Sequence, residues 1–208
     1  MNRRDFLKGA GAAIVPAALP GAIWAAPPLA PESGSAPPAA QHSGAITAVV
    51  FDDRYPDCRL FAAALARLGA VAFATNSDAT RLWYGPLRAH LAQYPGRVAG
   101  LTAYADFSVS QACGRELGFA PIFEGEHDAR RSRLLAHRLR TRGDDRGLAA
   151  AVAGASWASC LAEALARWSV STGAAGKTVA PRLSAAATPR SAGHPGYLNS
   201  WLLGPLGA

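Results

Sequence analysis

A chain of 208 residues, 50% hydrophobic and 17% charged, carries enough apolar surface for one domain with a sizeable core, which excludes the disordered and low-complexity classes. Its formal charge of +7 and pI near 9.9 would suit nucleic acid, but Arg3, Arg4 and Lys8 supply part of that charge, and the later bases are almost all Arg amid abundant Ala, a compositional bias. No aromatic residues interleave with the arginine run in the way single-strand binding needs, so nucleic acid is not an expected partner.

The chain begins with Asn2-Arg3-Arg4-Asp5-Phe6-Leu7-Lys8, then an apolar Gly/Ala-rich stretch from Gly9 to Trp24, then small residues. Basic, apolar and small segments in that order make a cleavable secretory signal. A bilayer span needs about 20 apolar residues, and this run is shorter and interrupted by Pro16 and Pro20. The heptapeptide resembles the twin-arginine export signal, Ser/Thr-Arg-Arg-x-Phe-Leu-Lys, through Arg3, Arg4, Phe6, Leu7 and Lys8, with Asn2 as its departure from the pattern. The resemblance implies the twin-arginine translocase as a partner during export, passage in the folded state and a periplasmic destination. With cleavage after Ala25, no stable membrane span is expected in the mature form.

Residues 26–44 read APPLAPESGSAPPAAQHSG, too poor in large apolar groups to offset the entropy of ordering them, and are expected to be a flexible spacer. The folded domain is then expected over 45–170. Ile46 to Phe51 is a β-branched run followed by Pro56 at a helix start and by Leu60, Phe61, Leu65 and Leu68 at helical spacing, with Gly69 as the stop. Ala70 to Ala74 predicts a second strand, and Asp78 to Tyr94 a second helix kinked or divided at Gly85-Pro86. Arg97 to Thr102 predicts a third strand. A third helix is expected to start near Asp106 or Ser108, where Ser108 and Gln111 have capping-box spacing, and to stop at Gly118. Ala120 to Phe123 predicts a fourth strand. The arginine-rich segment from Arg130 to Arg146 is expected to be a solvated helix or loop, with an anionic lipid surface or an acidic partner protein as the alternative use of its charge. Leu148 to Trp168 carries an apolar stripe of Val152, Trp157, Leu161, Leu165 and Trp168 and predicts the last helix. Residues 171–208 are expected to be a low-complexity tail ending in an apolar patch, Tyr197, Leu198, Trp201, Leu202 and Leu203, which docks on the core or on a partner.

Strands alternating with helices predict an α/β class: a compact three-layer domain with about four parallel strands covered by helices. That pattern resembles the Rossmann-like or flavodoxin-like folds. In such sheets ligands bind beyond the carboxyl ends of the strands, where the strand order reverses. The four predicted strands end in Asp52 and Asp53, in Thr75 to Asp78, in Thr102 to Asp106, and in Glu124 to Asp128. Asp52, Asp53, Asp106 and His127 are therefore the candidate catalytic or metal-binding residues, since convergent carboxylates and an imidazole can hold a hard divalent cation or supply an acid and a base.

The familiar fingerprints are missing. No Gly-x-Gly-x-x-Gly follows the first strand, and Gly176-Lys177-Thr178 lacks the first glycine of a phosphate loop, where Ser171 stands. Gly154-Ala155-Ser156-Trp157-Ala158 has Ala where a nucleophile elbow needs its second glycine. Cys58 and Cys113 could form a disulfide on helices after adjacent strands, while Cys160 is expected to be a buried thiol. No cofactor is indicated. The expectation is a periplasmic non-catalytic ligand-binding or accessory component, for example beside a larger exported redox enzyme and with a periplasmic protein partner. The competing expectation is a small hydrolase or lyase that uses the carboxylates and His127, with or without a divalent metal.

Overall fold

The computed structural model describes residues 44–130, 134–141, 146–168 and 183–206. The export signal, nearly all of the spacer, the segment around Lys177 and part of the arginine-rich run lie outside the described residues.

The apolar run Ile46–Phe51 forms β1, and Pro56–Arg67 forms the first helix, α1, with Pro at its start, where its missing N–H costs nothing. Gly69, at φ +98°, closes α1: its N–H bonds Ala66 O at 3.0 Å and the Ala70 N–H bonds Leu65 O at 3.1 Å, the paired bonds of a Schellman stop. Then come β2 (Val71–Ala74), α2 (Ala79–Tyr84), α3 (Pro86–Gln93) and β3 (Arg97–Thr102). Gly85-Pro86 divides the predicted second helix as expected. α4 (Tyr104–Glu116) begins before the Ser108 to Gln111 pair, with Ala103 at the N-cap, so the capping box is not used. The remaining elements are β4 (Phe119–Asp128), β5 (Leu134–Thr141), α5 (Arg146–Ala151), α6 (Trp157–Arg167), β6 (Leu183–Pro189) and β7 (Tyr197–Pro205).

The seven strands form one mixed sheet in the order β2-β1-β3-β7-β4-β5-β6. β2, β1 and β3 are parallel, whereas the pairs β3 with β7, β7 with β4, β4 with β5 and β5 with β6 are all antiparallel. The class is α/β, but the expectation of about four parallel strands is corrected to three parallel strands followed by antiparallel pairings. Alternate residues feed two apolar clusters. Val49, Leu101, Leu139 and Leu202 pack with α1 and α6 through Phe61, Leu65, Trp157 and Leu161. Val50, Val98, Trp201 and Leu203 pack with Leu82, Trp83 and Leu87 of α2 and α3.

Three further expectations are corrected. The arginine-rich run supplies a strand because Leu135, His137, Leu139 and Thr141 alternate inward while Leu134, Arg138 and Arg140 are exposed, a period of two. The folded unit does not stop at 170: β6 and β7 belong to the sheet, and the C-terminal apolar patch is its central strand, with Leu198, Trp201, Leu202 and Leu203 each at most 1% exposed. Cys58 and Cys113 sit in clusters on opposite faces of the sheet and are free, which rules out their bridge, and Cys160 is exposed instead of buried.

β7 fits between β3 and β4 only because its neighbours yield space. Gly100 lies opposite Trp201, and a Cβ there would stand 2.2 Å from the indole ring. The Trp201 Nε1–H reaches Thr102 Oγ1 at 3.3 Å. Gly100→Ala is expected to lower stability by about 1–3 kcal/mol through overpacking, read from the midpoint of urea unfolding. Gly147→Ala in α5, where a Cβ meets nothing within 4 Å, is expected to be neutral or stabilising by up to about 1 kcal/mol. Equal behaviour of the two variants would contradict this packing.

Candidate functional site

The chain order reverses around β1: β2 lies on one side of it and β3 on the other. Beyond the carboxyl ends of β1 and β3 a crevice is therefore expected, and the structure brings Asp52 and Asp106 to it. Asp52 follows β1, is fully buried, and its N–H bonds Leu101 O of β3 at 3.3 Å. Its carboxylate accepts Arg54 Nε at 2.8 Å and Nη2 at 2.6 Å, a bidentate clamp that holds the guanidinium firmly charged. Asp106, in the first turn of α4 and 8% exposed, accepts Thr75 Oγ1 at 3.1 Å from the end of β2. Burial pushes its carboxyl above the usual range and the charge of Asp52 adds to that, while the Thr75 hydrogen bond and Arg54 pull the other way. Behind β2, Asn76 and Ser77 both hold left-handed backbone, at φ 47° and 63°, an uncommon conformation for residues other than glycine.

The other two candidates are not part of this group. Asp53 is exposed, and its backbone carbonyl accepts Arg59 Nη1. His127 lies near the end of β4, three strand spacings from β1 in the sheet order, roughly 14 Å away at the usual spacing between strands. Among the described residues, no group of three or more His, Cys, Asp or Glu side chains is placed to hold a metal ion.

His127 belongs instead to a buried relay on the α6 side of the sheet. Its Nδ1 meets His137 Nδ1 at 2.7 Å, its Nε2 meets Ser200 Oγ at 2.8 Å, and His137 Nε2 meets Thr188 Oγ1 at 3.1 Å. Two ring nitrogens can be this close only if one carries a proton and the other accepts it. If His127 donates, its Nε2 accepts from Ser200 and His137 donates to Thr188; if His137 donates, every bond reverses. Trp157 of α6 packs against both rings, at centroid distances of 4.3 and 5.2 Å. Gly125 makes the room, since a Cβ there would stand 2.4 Å from Ser200 Oγ and 3.3 Å from His127 Nε2. The relay can reverse its hydrogen-bond directions internally, but Ser200 and His127 are 0% exposed and meet no substrate in this conformation.

Next to the relay, His194 accepts the Gly196 N–H at its Nδ1 at 2.9 Å. Its Nε2 then carries the proton and has no partner among the described residues, a cost of about 1–3 kcal/mol. Sequence reading singled out His127 but missed His137, Thr188 and Ser200. The available signal was the alternation Leu135, His137, Leu139, which places an imidazole on a buried face.

On the opposite face of the sheet a cleft of about 210 Å³ lies between the start of α4 and strands β4, β5 and β7. Tyr104 and Phe107 form one wall; Glu124, Glu126, Arg138 and Arg140 form the other, with Tyr197 and Asn199 between them. The acidic and basic residues face each other in register, Glu124 opposite Arg140 and Glu126 opposite Arg138. A broader cavity of about 420 Å³ lies at the end of β2, where Thr75, Asn76, Asp78 and Arg81 meet Leu82 and Pro86.

Residues 1–20 match the family model described as the TAT (twin-arginine translocation) pathway signal sequence. No curated protein and no solved structure matches the chain. The protein carries a twin-arginine signal peptide and is directed across the cytoplasmic membrane by the twin-arginine translocase. Among the described residues no helix is long and apolar enough to cross a membrane.

Two outcomes test the relay. Burial, together with the neighbouring histidines, pushes His127 well below 6.5 and His137 to about 4. At His137 the unfolded chain therefore binds a proton near pH 6.5 that the folded chain refuses until about pH 4, and His127 shifts in the same direction. Stability is full above that window and falls as pH drops through it, by up to about 1.4 kcal/mol per pH unit for each histidine. Urea unfolding at a series of pH values should show this slope, and a flat profile between pH 6.5 and 4 would contradict it. Gly125→Ala is expected to cost about 1–3 kcal/mol and to remove the downfield imidazole N–H resonance of the histidine pair in proton NMR.

Proposed function

We propose that the chain is exported to the periplasm and works there as a non-catalytic ligand-binding or accessory component. The observation that carries this reading is that two of the four candidate side chains, Asp52 and His127, are committed internally. Asp52 is fully buried and clamped by Arg54, and His127 is fully buried with both ring nitrogens hydrogen-bonded. An acid or base must reach the proton it moves, and neither group reaches solvent. The cleft of mixed charge and aromatic side chains, by contrast, is open to a small molecule.

One observation favours a hydrolase or lyase as the second reading. Asp106 is a nearly buried carboxyl that burial, aided by the charge of Asp52, pushes above its usual range, a direction that suits a general acid. Native mass spectrometry on protein released gently from the periplasm of its host separates the two readings. The binding role predicts a non-covalent small-molecule or partner mass at a stoichiometry unchanged by Asp106→Asn and His127→Gln. A small-molecule mass that accumulates only in Asp106→Asn, as a disabled enzyme retains its substrate, would overturn it.

A further inference from the structure

The histidine relay crosses four neighbouring strands in sheet order, from Ser200 of β7 through His127 of β4 and His137 of β5 to Thr188 of β6. Its last step fastens a strand that is otherwise weakly held. β6 is the outermost strand on its side of the sheet, and its last residue, Pro189, has no N–H for the ladder. Its register with β5 shifts between Leu135 and His137, so the ladder is irregular beside the relay. Among the β6 side chains that the structure describes, Ala187 and Pro189 are exposed while Thr188 is buried, at 1% exposure. Thr188 Oγ1, 3.1 Å from His137 Nε2, therefore anchors the strand.

Protonation bears directly on that anchor. One added proton makes one ring a donor at both nitrogens, which the chain accommodates by turning a terminal hydroxyl from donor to acceptor. A second proton makes both Nδ1 atoms donors, and their 2.7 Å contact cannot survive it. Even the first proton finds no counter-charge among the described residues. Besides the two rings themselves, the titratable group that acts on both is His194, in the loop after β6. Asp57 of α1, Arg190 and Asp128 of β4 act on His194 and not on the pair, and Asp57 already accepts Ser191 Oγ at 2.6 Å. From α6 the pair meets Trp157, which carries no charge. An ionised imidazole so enclosed needs water. His137 is one strand from the edge and His127 is two, so displacement of β6 brings water to His137 first.

We propose that the relay is an acid-sensitive latch on the edge strand β6. In its neutral form it ties Thr188 to the sheet. When His137 takes up a proton, β6 leaves β5 and uncovers the β5 edge while the rest of the sheet stays folded. The latch is independent of what the protein binds.

Amide hydrogen exchange of the mature protein, followed by NMR from about pH 7 to about pH 4 and corrected for intrinsic rates, tests this. The β6 amides are expected to exchange through an opening smaller than global unfolding. Its population should rise about tenfold for each pH unit below 6.5, the signature of one proton taken up on opening. Thr188→Val removes the hydroxyl and keeps the shape, and should raise β6 opening at least about fivefold at neutral pH without changing β1 and β3. His137→Gln retains hydrogen-bonding capacity without titrating, and should remove the pH dependence of β6 exchange; if that variant does not fold, the parent and Thr188→Val decide. The latch is overturned if β6 protection is flat across this pH range, or if it falls only together with that of β1 and β3 in one global transition. Unchanged β6 exchange in Thr188→Val would overturn it as well.

Discussion

The structure depends on the position of β7. The last strand of the chain is the central strand of the sheet, with the parallel β2-β1-β3 on one side and the antiparallel β4-β5-β6 on the other. It joins them through antiparallel ladders on both edges, from Thr102 opposite Asn199 to Val98 opposite Leu203 on one side and from Asp128 opposite Tyr197 to Phe119 opposite Pro205 on the other. Without it, β3 and β4 would each expose a row of unpaired backbone groups, and both apolar clusters would lose the buried leucines and Trp201 that β7 supplies. Pairing so distant in sequence is slow to form, because loop closure must precede the contacts that reward it.

β7 also supplies one group to each polar site. Ser200 points to the α6 side and ends the histidine relay, while Asn199 points to the other side and floors the charged cleft. The period-two alternation of one strand therefore builds two sites of different character. The relay is enclosed and proton-sharing, a specifying element whose members are all satisfied at their ring nitrogens. The cleft is open and lined by charges of both signs. The Asp52 and Asp106 pair is intermediate: it lies at the reversal of strand order, yet its more buried member is already paired with Arg54.

The parallel half was legible in the sequence because each of its strands is a mostly apolar run between turn signals, and Pro56, Gly69 and Gly85-Pro86 mark the helix ends. The antiparallel half was not, since β5 buries a histidine and a threonine among its leucines and exposes two arginines, a composition that reads as solvated surface. β6, Leu183 to Pro189, is built of small residues that carry almost no hydrophobic period. The apolar content of Tyr197 to Leu203 was visible, but nothing local to it indicates insertion at the centre of a sheet; that follows from Gly100 and Gly125, which lie 101 and 75 residues before the Trp201 and Ser200 they accommodate. Asp52 and Asp106 were found because a parallel sheet fixes where its loops converge. His127 was placed with them because β4 was read as ending at Phe123, which put the polar residues after it in a loop instead of along a strand.

Native-state hydrogen exchange tests most directly whether β7 makes one cooperative unit of the two halves. Amides of β1 and β3 and amides of β4 and β5 should show the same slowest-exchanging free energy, equal to that of global unfolding. Exchange of the β4 and β5 amides at a distinctly lower free energy, while those of β1 and β3 remain protected, would contradict the central role of the last strand.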